Sequence, residues 1–162
     1  MKYNWLVEYM KKELGKDDVN LIICHIGSGA SISAIKDGKC YDTTMGLTPL
    51  DGLMMGTRSG AIDPCVIEYV CEESGKTVVE VTNELNKKSG FLGIAGVADC
   101  RDVEQKAAEG DYNATLALKM YCNRIAEFIK SILAGMAISL GGAVYLSCEN
   151  KYVGAFFFCV GL

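Results

Sequence analysis

The sequence predicts one mixed α/β or α+β domain. Three observations carry that reading. Strand-type runs come first, helical periods fill the middle, and a further strand-type run follows near the end. The chain has 162 residues, about the length of one domain. The hydrophobic set makes up 50% and charged residues 22%, a composition that can build a core and is not that of a disordered segment.

Residues Tyr3–Leu14 read as a helix with Leu6, Tyr9 and Met10 on its inner face, stopped by Gly15. Asn20–His25 reads as a short buried-type strand. Gly27-Ser28-Gly29 interrupts it, and Ala30–Ile35 resumes with strand character. Asp37-Gly38 is a hairpin signal, and Lys39–Thr43 is the returning strand. Thr44–Gly60 has several glycines and hydroxyl residues and no sustained period. It reads as a long loop, and loops of that length in compact domains usually carry function or are disordered.

Asp63-Pro64 then opens a helix, with Val66, Ile67 and Val70 facing inward. Thr77 and Glu80 have capping-box spacing and open another, ending near Ser89-Gly90. Phe91–Cys100 reads as a second glycine-bearing loop, and Arg101–Glu109 as a short helix closed by Gly110. Tyr112 to about Ile138 is a long helix with an inner stripe of Leu116, Met120, Tyr121, Ile125, Phe128, Ile129, Ile132 and Met136. Ala143–Ser147 reads as a strand after Gly141-Gly142.

Charge and cysteine narrow the function classes. A net charge of −4 disfavours a broadly basic nucleic-acid binder. The eight cysteines show no C-x-x-C pair, and with one histidine there is no zinc-ligand spacing. Most lie in apolar runs, which suggests small buried hydrophobes and free thiols in a reducing compartment. The charged N-terminus has no signal-peptide stretch, so the expected location is cytoplasmic. Residues 131–162 hold two charged residues, Glu149 and Lys151. The uncharged run Ser131–Cys148 is long enough for a membrane span, but its glycines and serines favour a buried helix and core strand.

Three segments carry candidate chemistry. In His25-Ile26-Gly27-Ser28-Gly29, glycines let backbone N–H groups turn toward an anion such as phosphate; an ordinary glycine hairpin is the plainer account. Arg58 lies in a loop of small residues, either as a two-pronged clamp for carboxylate or phosphate or as a surface arginine. Asp99-Cys100-Arg101 closes a glycine loop and starts a helix. Asp99 is either a helix cap or, with Arg101, a ligand for a ribose and phosphate. No metal cluster, Ser-His-Asp arrangement or dinucleotide-binding pattern is present in the sequence.

The stretches NLIICHIGSGASISAIKDGKCYDTTMGLTPLDGLMMGTRSGAIDP, LNKKSGFLGIAGVADCRDVE and RIAEFIK closely resemble the second half of acetate kinases. The likeness runs from about Lys2 to Gly135, and propionate and butyrate kinases are close relatives. It implies one domain of the acetate-and-sugar-kinase, Hsp70 and actin (ribonuclease H-like) fold, truncated at both ends. Residues 1–150 would be a partial second domain and residues 151–162 an apolar tail without resemblance. It also implies phosphoryl transfer between ATP and acetate with Mg²⁺, giving ADP and acetyl phosphate. The family's HLGNG phosphate loop matches His25, Ile26, Gly27, Ser28 and Gly29, with Ser28 in place of asparagine. Its phosphoryl-stabilising arginine matches Arg58, and its Asp-x-Arg nucleotide contact matches Asp99, Cys100 and Arg101.

No metal ligand transfers to this chain. The family's catalytic acid, acyl-binding arginine, YGFHG histidine and metal-contacting asparagine have no counterpart here. Its third nucleotide loop is reduced to Glu149-Asn150 without glycines. The expectation is a kinase fragment inactive by itself, with a non-catalytic nucleotide-binding remnant or a split-kinase subunit as the alternative, and a small membrane-anchored protein behind both. The family's homodimer is carried over as an expectation, with no membrane or nucleic-acid partner.

Overall fold

The computed structural model of the chain describes residues 3–147. Two compact units divide it, Met1–Ile125 and Ala126–Leu162. The first opens with α1 (Asn4–Leu14) and a three-stranded antiparallel sheet of β1 (Leu21–Ile26), β2 (Ala30–Lys36) and β3 (Lys39–Thr43), in the order β1-β2-β3. Then come α2 (Cys65–Ser74), α3 (Val78–Lys87), α4 (Gly90–Ala95) and α5 (Cys100–Ala108). The long helix α6 (Tyr112–Ser147) starts in the first unit and continues through the described part of the second.

Local signals in the sequence place most of these boundaries. Gly15 ends α1 in the left-handed region at φ 65°, with its N–H on the Lys11 carbonyl. Asp37 and Gly38 take φ 50° and 70°, the two positive angles that a tight hairpin turn needs to match strand twist. Leu21 pairs with Ile35 and Ile26 with Ala30, so Gly27-Ser28-Gly29 is the β1–β2 turn itself. Thr77 and Glu80 form both halves of the capping box at the start of α3. The Asp63 carboxylate accepts from the Cys65 N–H at 2.9 Å and opens α2.

One buried cluster joins α1 to the sheet through Val7, Val19, Ile23 and Ile35, with Tyr3, Leu6 and Leu21 packed against it. The Tyr3 hydroxyl and the Ser31 hydroxyl lie 2.6 Å apart across the same face. Leu53, Met55, Phe91, Ala95, Val103, Ala117 and Tyr121 are also buried. The Phe91 and Tyr121 rings meet with centroids 5.1 Å apart.

Several expectations are corrected. Phe91–Cys100 is read as loop, but its first five residues belong to the short helix α4 (Gly90–Ala95). The N–H groups of Phe91 and Leu92 in its first turn are satisfied by carbonyls of Met55 and Gly56, a tertiary signal that no local pattern carries. Ala143–Ser147, read as a strand, is helical. A strand needs a sheet edge to satisfy its backbone, whereas a helix closes its own hydrogen bonds. On α1, Val7 is buried and Tyr9 is exposed, stacked on Trp5. β1 buries only Ile23, not the whole strand. α2 buries no residue, and Val66 is exposed.

The inner stripe of α6 runs through Ala114, Ala117 and Tyr121, with Leu116 and Met120 outside. Ile125, Phe128, Ile129 and Ile132 are half-buried, and the side chain of Met136 lies outside the described residues. None of the six described cysteines is buried, and all six are free thiols. The expectations for Cys148, Glu149, Asn150, Cys159 and the tail 151–162 lie outside the described residues.

Candidate functional site

Residues 44–60 contain no helix or strand, yet they are tightly held. Thr44 pairs with Ile32 in both directions: its N–H reaches the Ile32 carbonyl at 2.9 Å and its hydroxyl accepts from the Ile32 N–H at 3.0 Å. Leu53, Met54 and Met55 are buried and anchor the middle. The Met55 N–H closes a turn on the Arg58 carbonyl at 3.1 Å. The carbonyls of Met55, Gly56 and Thr57 accept from the N–H groups of Phe91, Leu92 and Ser89 at 3.0, 2.9 and 3.0 Å. The loop thus caps α4, and these α4 donors are used internally.

This fastening brings the three sequence-predicted segments together. The Gly56 N–H donates to the Ser28 carbonyl at 3.2 Å. A Cβ placed on Gly56 would lie 2.8 Å from the Ala98 carbonyl oxygen and 3.4 Å from that of Ser28. The β1–β2 turn and the approach to α5 therefore both pack on Gly56, and only a residue without a side chain fits between them. A Cβ on Gly29 would lie 3.5 Å from Arg58 Nη1, so the guanidinium reaches the glycine turn.

Gly27 and Ser28 are exposed, as is His25, whose Nε2 would lie 3.6 Å from a Cβ on Gly27. The Gly27 N–H closes the turn on the Gly29 carbonyl at 3.2 Å. Ile26 ends β1 with its side chain exposed. Arg58 is half-buried. Nη1 donates to the Met55 thioether at 3.5 Å, and no carboxylate among the described residues pairs with the guanidinium.

Asp99 takes the capping role that the sequence offered, and it also pairs with Arg101. It caps α5, accepting from the Arg101 N–H at 2.9 Å. It also grips the Arg101 side chain in a fork, Nε to Oδ1 at 3.0 Å and Nη2 to Oδ2 at 2.6 Å. The Arg101 side chain and, next, its backbone N–H hold the Asp99 carboxyl down at about 2, and the same pair raises Arg101. The Arg101 side chain remains 87% exposed, so its other donors face solvent. Burial pushes the Cys100 thiol up, and Glu104 adds to it.

Sequence reading missed Met55, Gly56 and Ala98, which tie the site together. Their signal is tertiary contact, not residue chemistry. A cleft lined by Tyr3, Val7, Ile35 and Lys39 contains none of the site residues. Among the described residues no group of three His, Cys, Asp or Glu could hold a metal ion. The one acidic residue of the site, Asp99, is engaged by Arg101, so the residues present do not fit a protein-held Mg²⁺. Among the described residues no helix is long and apolar enough to cross a membrane.

The profile of the acetokinase family matches residues 2–149. The acetate kinase of Mycoplasma pneumoniae is 46% identical over 143 residues, covering 88% of this chain and 36% of that protein. The acetate kinase of Carboxydothermus hydrogenoformans is 48% identical over 133 residues, covering 80% and 33%. Among solved structures, a propionate kinase from Francisella tularensis superposes with TM-score 0.77 at 50% identity, over 80% of this chain and 34% of that one. The Porphyromonas gingivalis acetate kinase gives 0.78 at 41% identity, over 83% and 34%. The chain spans about a third of the length of the relatives it matches. Its fold is therefore part of the acetate-and-sugar-kinase, Hsp70 and actin fold.

Proposed function

Because this chain belongs to the acetokinase family, we propose that it supplies the nucleotide-binding part of an ATP-dependent carboxylate kinase, whose reaction is ATP plus acetate giving ADP and acetyl phosphate. The observation that carries this reading is the convergence on Gly56, with the glycine turn and the start of α5 on either side and Arg58 reaching the turn. In it, residues 1–150 form part of one kinase domain, residues 151–162 take no part, and the protein is cytoplasmic. Neither membrane nor nucleic acid is a proposed partner.

The chemistry follows from charge. Phosphoryl transfer between oxygens is mostly positioning and charge neutralisation. In the exposed Gly27-Ser28-Gly29 turn the Gly27 N–H closes the turn on Gly29, and the backbone N–H groups of Ser28 and Gly29 are proposed for the nucleotide phosphates, flanked by His25 and Ile26. Arg58, without a carboxylate partner among the described residues, keeps its full charge for the phosphoryl group. An arginine so placed is worth about 10³–10⁵ in rate in other phosphotransferases. Asp99 and Arg101, with Cys100 between them, are proposed to contact the nucleotide. No step is assigned to Mg²⁺; in this reading it travels with the nucleotide's phosphates.

An acyl carboxylate must also be held in line with the γ-phosphate, at about 3–3.5 Å. The groups for that task are proposed to lie in the two thirds of the relatives' length that this chain does not span, so that the chain binds nucleotide and needs that part for turnover. Propionate is the alternative acyl substrate, supported by the 50% identity to a propionate kinase.

The test uses the full chain. It is assayed for MgATP binding, and for acetyl phosphate by hydroxylamine trapping, alone and co-expressed with the remaining two thirds of a relative. The expected result is weak MgATP binding that Arg58→Gln weakens further, no product alone, and product on co-expression. Absence of MgATP binding, or binding indifferent to Arg58→Gln, would sink the reading.

A further inference from the structure

Met55 is 1% exposed, and its thioether is the one protein acceptor on the Arg58 guanidinium among the described residues. Its backbone is fixed at both ends, the N–H on the Arg58 carbonyl and the carbonyl on the Phe91 N–H. Its sulfur lies 4.0 Å from where a Cβ on Gly29 would sit, beside Arg58 Nη1 at 3.5 Å. Sulfur, guanidinium and glycine turn thus meet at one point.

We propose that Met55 is a positioning residue, aiming the Arg58 guanidinium at the Gly27–Gly29 turn while leaving its charge unneutralised. Two physical facts select a thioether for this task. Guanidinium carries five N–H donors, and a buried carboxylate would orient it more firmly. That carboxylate would also cancel the charge that must act on an anion. Thioether sulfur is a weak, neutral acceptor: it restrains one N–H, on the Nη1 that reaches the turn, and leaves the positive charge unneutralised. The long flexible methionine stem also lets the sulfur adjust to the guanidinium within a packed loop.

The inference rests on the phosphate role proposed for Arg58, but its first test does not use nucleotide. The Nε–Hε order parameter of Arg58 is measured by NMR on the full chain, with Arg58→Lys used for assignment. Met55→Leu conserves volume, so the melting temperature should stay close to wild type. The order parameter should fall from about 0.8 to below about 0.6 as the guanidinium is released. An unchanged value overturns the proposal. As a check that leaves the buried position intact, Arg58→Gln should shift the Met55 methyl resonance, and an unmoved resonance again overturns it.

The second arm is MgATP affinity. Met55→Leu should weaken it about two- to tenfold, the range of one modest hydrogen bond. In an Arg58→Gln background the same substitution should do nothing further, because the effect runs through Arg58. An equal loss in both backgrounds marks a merely structural role and overturns the proposal. If wild-type affinity ignores Arg58→Gln, the phosphate reading fails, and the nucleotide-free measurements still report separately whether Met55 orders Arg58.

Discussion

The carbonyl oxygens of Ser28 and Ala98 both bear on Gly56, one accepting its N–H at 3.2 Å, the other 2.8 Å from where its Cβ would be. Two segments distant in sequence are held together by the absence of one methyl group. Both contacts are backbone, so neither can swing aside as a flexible side chain would.

Gly56→Ala should therefore force the β1–β2 turn and the start of α5 apart. Overpacking of this kind costs about 1–3 kcal/mol. Urea unfolding should show that loss, and MgATP affinity should drop with it. Stability within a few tenths of a kcal/mol of wild type would show that the contact yields easily.

The Asp99–Arg101 fork sets a pH dependence with a definite sign. The carboxyl of Asp99 sits at about 2, against an ordinary 3.8. A group lowered by folding stabilises above its unfolded value and loses that contribution as pH falls through the folded one. The start of α5 should thus be unaffected above about pH 5 and loosen between about pH 4 and 2. Carboxyl-carbon NMR titration should find the low midpoint. Arg101→Gln should raise it only part of the way to 3.8, because the backbone N–H of residue 101 still donates to the carboxylate. A midpoint unmoved by Arg101→Gln would mean the fork does not form in solution.

Thr77→Ala should remove half of the capping box on α3. The Thr77 hydroxyl accepts from the Glu80 N–H at 3.3 Å and donates to the Glu80 carboxylate at 2.8 Å. Losing an N-cap costs about 0.5–2 kcal/mol. The backbone N–H of Thr77 and then its hydroxyl hold the Glu80 carboxyl below its ordinary 4.5. That contribution is present above about pH 4.5 and fades as pH falls below it. The gap in melting temperature between wild type and variant should be full at neutral pH and narrower near pH 3. An equal gap at both would exclude the bond from the Thr77 hydroxyl to the Glu80 carboxylate.

What the sequence made legible was local. Asp37-Gly38, Thr77 with Glu80, and Gly15 each act within a few residues, and each sits where its chemistry predicts. Arg58, Gly27–Gly29 and Asp99 could be singled out because their chemistry is written in the residue itself. Their meeting point could not. Gly56 and Met55 matter through contacts with segments far along the chain, and in the sequence they look like any loop residues. Size alone puts Leu116 and Met120 on the inner face of α6, but Ala114 and Ala117 are the buried residues there. α4 was hidden for a related reason: its first turn is completed by carbonyls of Met55, Gly56 and Thr57 rather than by a capping side chain.

Gly56 has a companion in Gly90, which takes φ +62° and faces the Met55 carbonyl too closely for any Cβ. The genetic code bears on both positions in a definite way. Every glycine codon shares its first two bases, so any change at either base replaces the residue, and every replacement carries a side chain or ends translation. Third-base changes are silent. Drift at these codons is therefore divided sharply between harmless and damaging, with almost nothing between. Neighbouring Thr57 and Ser59 demand no bare α-carbon: their side chains have room and donate to the Asn86 and Gly60 carbonyls at 3.1 and 3.0 Å.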